Sequence, residues 1–515
     1  MSAPAESDDA VPADAWRRMH PVTPALKGWK VLVGVIAVVG YQVADDVRTA
    51  SELLGGKGWL LVLGAVALVA LVGFGYSAIA WRMTRYAVTD EAVHLRTGVL
   101  FRQQRQARLD RLQAVDVVQP LLARLFGLAD LRLEVAGGSG SAVSLAYLRE
   151  PDAQALRSDL LALAAGLRRP AGAPAPAAGA PGSVDDGAAP GAAGLDPQGP
   201  GTDPLSAVPG ATAAGPRAGF EEAPEREVYA VPMPRLLVST LRSATVAGLV
   251  LLVAAFVVGA ILARDVGPLF VLFPAALGFV GTLWGRINGG AGFRAALSPD
   301  GIRLRHGLTE QRAQTVPPGR VQAVRLSQGL WWRGPDWWRI EINVAGYGTG
   351  DDAARATVLH PVATRDEAAA ALWLVLPDLG VEDPRAVVDA AMSGRDDEGG
   401  FTPAPRQARW LDPVAWRRQG VRVTRTALVA RSGRLVRHVV VVPHERTQSL
   451  GLEQGPLQRR LGVASFVVHS TPGPVRPRVD HLDGLVAAAL LDEQSERART
   501  ARAAAGPELW MRSTP

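Results

Sequence analysis

The stretch YAVTDEAVHLRTGVLFRQQRQARLDRLQAVDVVQPLLARLFGLADLRLEVAG, residues 86–137, decides the fold because the chain repeats it. FRAALSPDGIRLRHGLTEQRAQTVPPGRVQAVRLSQGLWWRG at residues 293–334 is a second copy, and GVRVTRTALVARSGRLVRHVVVVPHERTQSLGLEQGPLQRRLGVASFVVHS at residues 420–470 is a third. Thr89, Ser298 and Thr424 each stand nine residues before a glycine, Gly98, Gly307 or Gly433. Fifteen residues on come Gln113, Gln322 and Gln448, and six further on Gln119, Gln328 and Gln454. Eight residues later the first and third copies carry Gly127 and Gly462. Three gapless copies, each far longer than a solenoid unit, predict three domains.

Within a copy, residues 86–88, 92–96 and 99–103 are short, alternating, β-prone stretches separated by the turns Asp90-Glu91 and Thr97-Gly98. Residues 105–109 and 114–118 alternate as half-buried strands do. Residues 121–126 read as a helical turn, 131–136 as a strand, and 141–145 as another after a glycine-rich turn. An amphipathic helix then closes each copy, at about 152–167, 365–376 and 480–497. Six or seven strands and a closing helix describe a small capped barrel.

Outside the copies lie four apolar runs, at 29–44, 59–80, 244–263 and 267–283. A helix over the second would be about 33 Å long, enough to cross a bilayer core. The runs pair into two hairpins, the second closed by Arg264-Asp265-Val266. Arg17, Arg18, Lys27, Lys30, Arg82, Arg85, Arg235, Arg242, Arg286 and Arg294 flank their open ends, whereas the loops hold only Arg48, Lys57 and Arg264 among acids. Basic residues stay on the cytoplasmic side. The expected orientation places the N-terminus, the repeats and the C-terminus inside the cell, on the plasma membrane of a bacterium. Trp29, Trp59, Trp81 and Trp284 fall at span ends, where an apolar ring with one polar N–H belongs. Residues 1–28 do not read as a cleavable signal peptide.

Length and composition agree. The chain has 515 residues, 48% hydrophobic and 20% charged, with net charge +6 and no cysteine. Disulfides, thiolate catalysis and cysteine metal sites are excluded. The mildly basic balance goes with the membrane flanks and not with nucleic acid.

The pattern Tyr86-x-Val88-Thr89-Asp90-Glu91, Gly98, Arg111-Leu112-Gln113-x-Val115, Gln119, Arg124-x-x-Gly127-Leu128 resembles the bacterial pleckstrin-homology (PH) domain of YdbS/YdbT-like membrane proteins. The third copy keeps Val423-Thr424, Gly433, Gln448, Gln454 and Arg459-x-x-Gly462. The second has Ser298 for the threonine and Trp331-Trp332-Arg333-Gly334 in place of Arg-x-x-Gly. The resemblance implies a fold and a membrane address, and little about activity.

The expected architecture is an α+β multidomain membrane protein with three PH-like β-barrels, each capped by a C-terminal helix, and two transmembrane hairpins of four spans. Its parts are an N-terminal segment (1–28), hairpin 1 (29–81), repeat 1 (82–168), a disordered Ala/Gly/Pro linker (169–228), hairpin 2 (235–286), repeat 2 (287–380), a linker (381–407), repeat 3 (408–500) and a loose tail (501–515).

No nucleophile elbow, phosphate-binding glycine loop or close histidine–carboxylate set is present, so no catalytic, cofactor or metal residue is assigned. The repeated glycines and glutamines read as structural, each amide tying a strand to a neighbouring loop. Arg102, Arg431 and Arg437 fall on one face of their strands, which is read as solvated and able to meet anionic lipid. Trp331, Trp332, Trp337 and Trp338 are too many for one small core, so some are read as facing the membrane or a partner, with core packing around a tight turn as the alternative. These features predict a non-enzymatic scaffold in envelope homeostasis or membrane-stress tolerance. Its expected partners are membrane lipids and another membrane protein, for instance a smaller single-module family member, with room for a homo-oligomer. A transport or export component for lipid or hydrophobic peptide is the alternative.

Overall fold

The computed structural model describes residues 16–18, 23, 58–89, 91–98, 103–109, 112–135, 143–164, 226–264, 268–298, 301–317, 319–345 and 357–505. Three modules follow one plan: a four-stranded antiparallel sheet, a three-stranded antiparallel sheet, and a helix. Module 1 comprises β1 (Arg17–Arg18), α1 (Gly58–Met83), β2 (Arg85–Val88), β3 (Ala92–Thr97), β4 (Gln103–Arg108), β5 (Leu112–Pro120), α2 (Leu121–Leu125), β6 (Leu128–Val135), β7 (Val143–Arg149) and α3 (Glu150–Ala164). Module 2 comprises β8 (Arg226–Ala230), α4 (Met233–Leu241), α5 (Ala244–Ala263), α6 (Pro268–Gly290), β9 (Arg294–Ser298), β10 (Gly301–His306), β11 (Glu310–Val316), β12 (Val321–Gln328), a 3-10 turn (Leu330–Trp332), β13 (Trp338–Val344), β14 (Val358–Ala363) and α7 (Arg365–Val375). Module 3 follows α8 (Pro384–Ser393). It comprises β15 (Thr402–Pro403), β16 (Gly420–Val423), β17 (Ala427–Ser432), β18 (Arg437–Pro443), β19 (Ser449–Glu453), α9 (Pro456–Arg460), β20 (Val463–His469), β21 (Arg478–Asp483) and α10 (Gly484–Ala504).

The repeated residues make the repeated turns. Thr89 and Thr424 close the turn before the second hairpin strand, each hydroxyl donating to the carbonyl three residues on (Ala92, 2.9 Å; Ala427, 2.8 Å). Gly307 and Gly433 have positive φ, and a Cβ there would meet the carbonyl oxygen of Glu310 at 1.9 Å or of Val436 at 2.0 Å. Only glycine fits. Gly127 and Gly462 are left-handed, and the equivalent position in module 2 is Asp336, with φ 51°. Aspartate tolerates this region better than most side chains. The departure at Trp331–Gly334 therefore leaves the repeat intact: the helical turn becomes a 3-10 turn and Asp336 takes the glycine's place.

Three sequence expectations change. The first strand of modules 1 and 2 precedes the apolar helices, because β1 pairs with β2 and β8 with β9. Helix α1, and α5 with α6, thus lie between the first two strands of their sheets, and β8 begins inside the stretch assigned to linker 169–228. In module 3 the same interval, between β15 and β16, holds only two 3-10 turns, Arg406–Trp410 and Trp416–Arg418. Secondly, the segment 381–407 between repeats 2 and 3 is structured, carrying α8 and β15. Thirdly, α10 runs past position 500 to Ala504.

The barrels are not separate. The second sheet of module 1 continues into the first sheet of module 2 in the order β7-β6-β5-β11-β10-β9-β8, and module 2 continues into module 3 as β14-β13-β12-β18-β17-β16-β15. The core follows this fusion. One buried cluster fills module 1 and a second, built on Trp338, Ile340, Leu326 and Leu372, runs from module 2 onto Val429 and Val439 of module 3. Phe466, Val442 and Leu482 anchor a third.

Among the described residues one helix, spanning Ala244–Leu262 with mean hydropathy 2.7, is long and apolar enough to cross a membrane. That is one span where four were expected; the run at 29–44 lies outside the described residues. Helices α5 and α6 pack closely enough that the Phe279 ring lies 3.0 Å from where a Cβ on Gly248 would stand.

His360 is fully buried, stacked on Tyr229 with ring centres 4.4 Å apart, and neither ring nitrogen has a hydrogen-bond partner. Burial lowers its pKa to about 4; Glu367 at 3.8 Å opposes this and Arg235 adds to it. The unfolded chain therefore binds the proton first as pH falls. Stability should be unaffected above pH about 6.5, fall through the window down to about 4, and level off below, for a total of roughly 3 kcal/mol. Thermal melts across that window check it, and His360→Gln should flatten the slope.

Candidate anion-binding face

Module 2 is tied to its hairpin by α4. The Trp332 indole donates to the Ser239 carbonyl (2.9 Å), Arg235 pairs with Glu367 of α7, and Leu236 fills the space beside Gly290. The 3-10 turn carrying Trp332 is thereby fixed next to the root of α5. Beside it lies the β17–β18 hairpin tip, where the Arg333 guanidinium donates to the Leu435 carbonyl (3.3 Å). The loop replacing the hairpin in module 3 completes the group.

These three elements and the C-terminal end of α8 enclose a cleft of about 100 Å³ lined by Arg333, Ser393, Arg395, Val414, Arg417, Arg418, Arg434 and Arg437. Six arginines and no carboxylate face it. Arg417 holds Asp396 (Nη2–Oδ2 2.6 Å), which raises its pKa. Arg418 is 5% exposed and donates to the carbonyls of Ala391 (2.8 Å), Met392 (2.9 Å) and Gly394 (3.1 Å), closing the C-terminus of α8. Its Nε and that of Arg333 are buried with no partner. Burial lowers the pKa of Arg418 to about 9, and Arg437, Arg431, Arg333 and Arg395 push it the same way. Arg333 and Arg437 are lowered for the same two reasons, burial first and neighbouring arginines next. Positive charges held together against burial and repulsion gain from any anion that enters, and a guanidinium offers a phosphate two parallel donors.

Exposed apolar side chains neighbour the lining residues along the chain. Leu330, Trp331, Leu435, Val436, Trp410 and Val414 are all exposed, Trp410 by 72%. The equivalent turns of the other modules are exposed too, through Leu121 and Leu125 of α2, Phe126 just after it, and Leu457 of α9. The cleft at the first junction, about 340 Å³, is of mixed charge, with Arg312 paired to Glu310 (2.8 Å).

The residues singled out from sequence separate. Of the four tryptophans, Trp338 (0% exposed) and Trp332 (7%) belong to the core, and Trp337 packs against it with Arg242 6.0 Å from its ring centre. Trp331 alone faces outward. Arg431 is not on a solvated face: it is 1% exposed, donates to the carbonyls of Ala390 and Glu398 (both 3.0 Å) and Asp396, and lies 4.3 Å over the Phe401 ring. Both faces of β17 are buried, and α8 and the loop after it cover Arg431. Arg437 is half-buried and donates to Gln328 (3.1 Å). Arg102 lies outside the described residues.

The glutamines do not share one task. Gln322 is buried and donates to Arg320 (3.4 Å), whereas Gln448 is exposed; the Gln113 side chain lies outside the described residues. Gln119 and Gln328 are buried at the junctions between modules, Gln328 donating to Asp336 (2.7 Å). Gln454 is exposed and donates to the Val463 carbonyl (3.1 Å). Arg333, Arg395, Arg417, Arg418 and Arg434 were missed as a site because they come from four segments that only the fused sheet brings together. The replacement of Arg-x-x-Gly by Trp-Trp-Arg-Gly was the one available signal.

Comparison with known proteins yields one family. The model of the bacterial PH domain matches residues 32–164, 241–376 and 408–498, well over half of the chain. The first two matches take in α1, and α5 with α6. No curated protein and no solved structure matches. With three matched modules of common plan, the chain belongs to the bacterial PH domain family.

Proposed function

We propose that this protein is a non-enzymatic, membrane-anchored scaffold of the YdbS/YdbT-like type whose arginine-lined face rests on the anionic inner leaflet. The bacterial PH modules suggest binding or scaffolding. The observation that carries the finer reading is the six-arginine cleft, its lining residues neighboured along the chain by exposed apolar side chains, beside the root of the apolar helix α5. Apolar side chains favour the headgroup boundary and arginines favour anionic phosphates there. In this reading both hairpins span the bacterial plasma membrane with modules and termini inside. The array holds its surroundings together under envelope stress.

The full-length protein in nanodiscs tests this. The chain has no cysteine, so Leu435→Cys, at the exposed hairpin tip, takes a single environment-sensitive dye. In phosphatidylglycerol discs the dye should shift to the blue and be quenched by lipid-borne nitroxide. High salt should reverse both. At about 1 kcal/mol per basic residue, Arg333→Glu with Arg434→Glu should weaken docking by about thirtyfold or more. Equal signals in phosphatidylcholine and phosphatidylglycerol would reject the reading.

A further inference from the structure

Both junctions between modules use one device in one register. The first strand of a module's second sheet pairs antiparallel with the last strand of the next module's first sheet. At the first junction Gln119 lies opposite Gln311, Val118 opposite Arg312 and Val117 opposite Ala313. At the second, Gln328 lies opposite Arg437, Ser327 opposite His438 and Leu326 opposite Val439. In each case the glutamine faces the fourth residue after the hairpin glycine, Gly307 or Gly433.

Two halves of such a junction are left over. β19 is the terminal strand of its sheet and β4 the terminal strand of its own, and among the described residues no strand pairs with either outer edge. The exposures agree. Val117 and Leu326 are buried at 3% and 0%, while their equivalent Leu452 is 39% exposed. Gln119 and Gln328 are buried and Gln454 is exposed. Gln103, Gln104, Arg105 and Gln106 on β4 are all exposed, although the equivalents of Gln106, Thr315 and Val441, are buried. The edges are also complementary in charge: β4 (QQRQAR) carries arginines and no acid, and β19 (SLGLE) carries Glu453 and no base.

We propose that a second copy of this chain supplies the missing strand, β19 of one copy adding to β4 of the next in the register of the internal junctions. That register sets Glu453 opposite Gln103, Leu452 opposite Gln104, Gly451 opposite Arg105 and Leu450 opposite Gln106. An open strand edge is a template for such pairing. The contact is head-to-tail, so it builds a ring or a linear array and not an isolated symmetric pair. This inference stands on the sheet edges and is independent of the lipid reading.

The test uses full-length protein carrying Gln104→Cys or Leu452→Cys, in a chain otherwise free of cysteine. Residues directly opposite on antiparallel strands bring their Cβ atoms to about 4.5–5.5 Å, close enough to crosslink. Oxidised separately, neither variant should yield a dimer. Mixed in one membrane they should yield a dimer band, and the double variant a ladder. Pairing Gln104→Cys with Glu453→Cys, one residue out of register and on the other face, should lose the band. No band from the mixture, an equal band from the offset pair, or an equal band from Leu452→Cys alone overturns the proposal. As a check free of substitution, the unmodified protein should show masses at multiples of 54.3 kDa in detergent. A single-chain mass at every concentration overturns it equally.

Discussion

Trp338→Ala should cost about 3–5 kcal/mol and unfold module 2 at a markedly lower temperature. Trp338 opens β13, is wholly buried, and packs in the cluster shared with module 3. Its indole also donates to Asp336 Oδ1 (2.9 Å). That carboxylate accepts from Gln328 (2.7 Å) and Arg365 (2.7 Å) as well, so removing the ring leaves both a cavity and a loosened hub. Chemical denaturation in detergent measures the loss. Trp331→Ala, seven residues away and 48% exposed, should leave stability within about 0.5 kcal/mol and weaken only docking. A loss below about 1 kcal/mol for Trp338→Ala would remove that residue from the core.

The second large effect belongs to Arg431→Met. Its guanidinium bonds three backbone carbonyls around the end of α8 and covers the Phe401 ring. Methionine fills much of the volume but takes the guanidinium donors from the Asp396 and Glu398 carbonyls, while Ala390 keeps the Gly394 N–H (2.9 Å). The expected cost is about 3–5 kcal/mol. It should be local, freeing α8 and residues 394–401. Limited proteolysis reads this as new cleavage there, ahead of any cut in β17 or β18. Arg431→Lys should restore little, since one ammonium cannot reach three diverging carbonyls. Unchanged proteolysis would show that the segment is held by other contacts.

Both effects bear on what the sequence could reveal. The repeat spacings announce three modules of strands and a closing helix because the turns need particular residues at fixed intervals, Gly307 and Gly433 above all. The substitution of Asp336 for the left-handed glycine was hidden, since backbone conformation is not printed in residue type. Arg431 was misplaced for a different reason. Alternation sorts residues between two faces, but whether either face is wet depends on what lies over it. The cover was α8, in a segment whose glycines and charges resemble a linker. The same cause concealed the arginine cleft, whose residues come from positions 333, 395, 417–418 and 434–437 and meet only through the β12–β18 pairing. Local patterns report the strands; pairing between modules is a long-range outcome of edge complementarity. The early first strands were missed because β1 is two residues long, too short for periodicity to register, and the five-residue β8 follows directly on the Ala/Gly/Pro-rich stretch.

Everything proposed for the arginine face depends on its lying at the cytoplasmic side of a membrane crossed by α5. Cysteine labelling in intact cells tests this directly, again because the chain has no cysteine of its own. Asp265→Cys, in the loop between α5 and α6, should react with a membrane-impermeant maleimide added outside. Leu435→Cys should react only after the membrane is permeabilised. Labelling of both from outside, or of neither until lysis, would contradict the account.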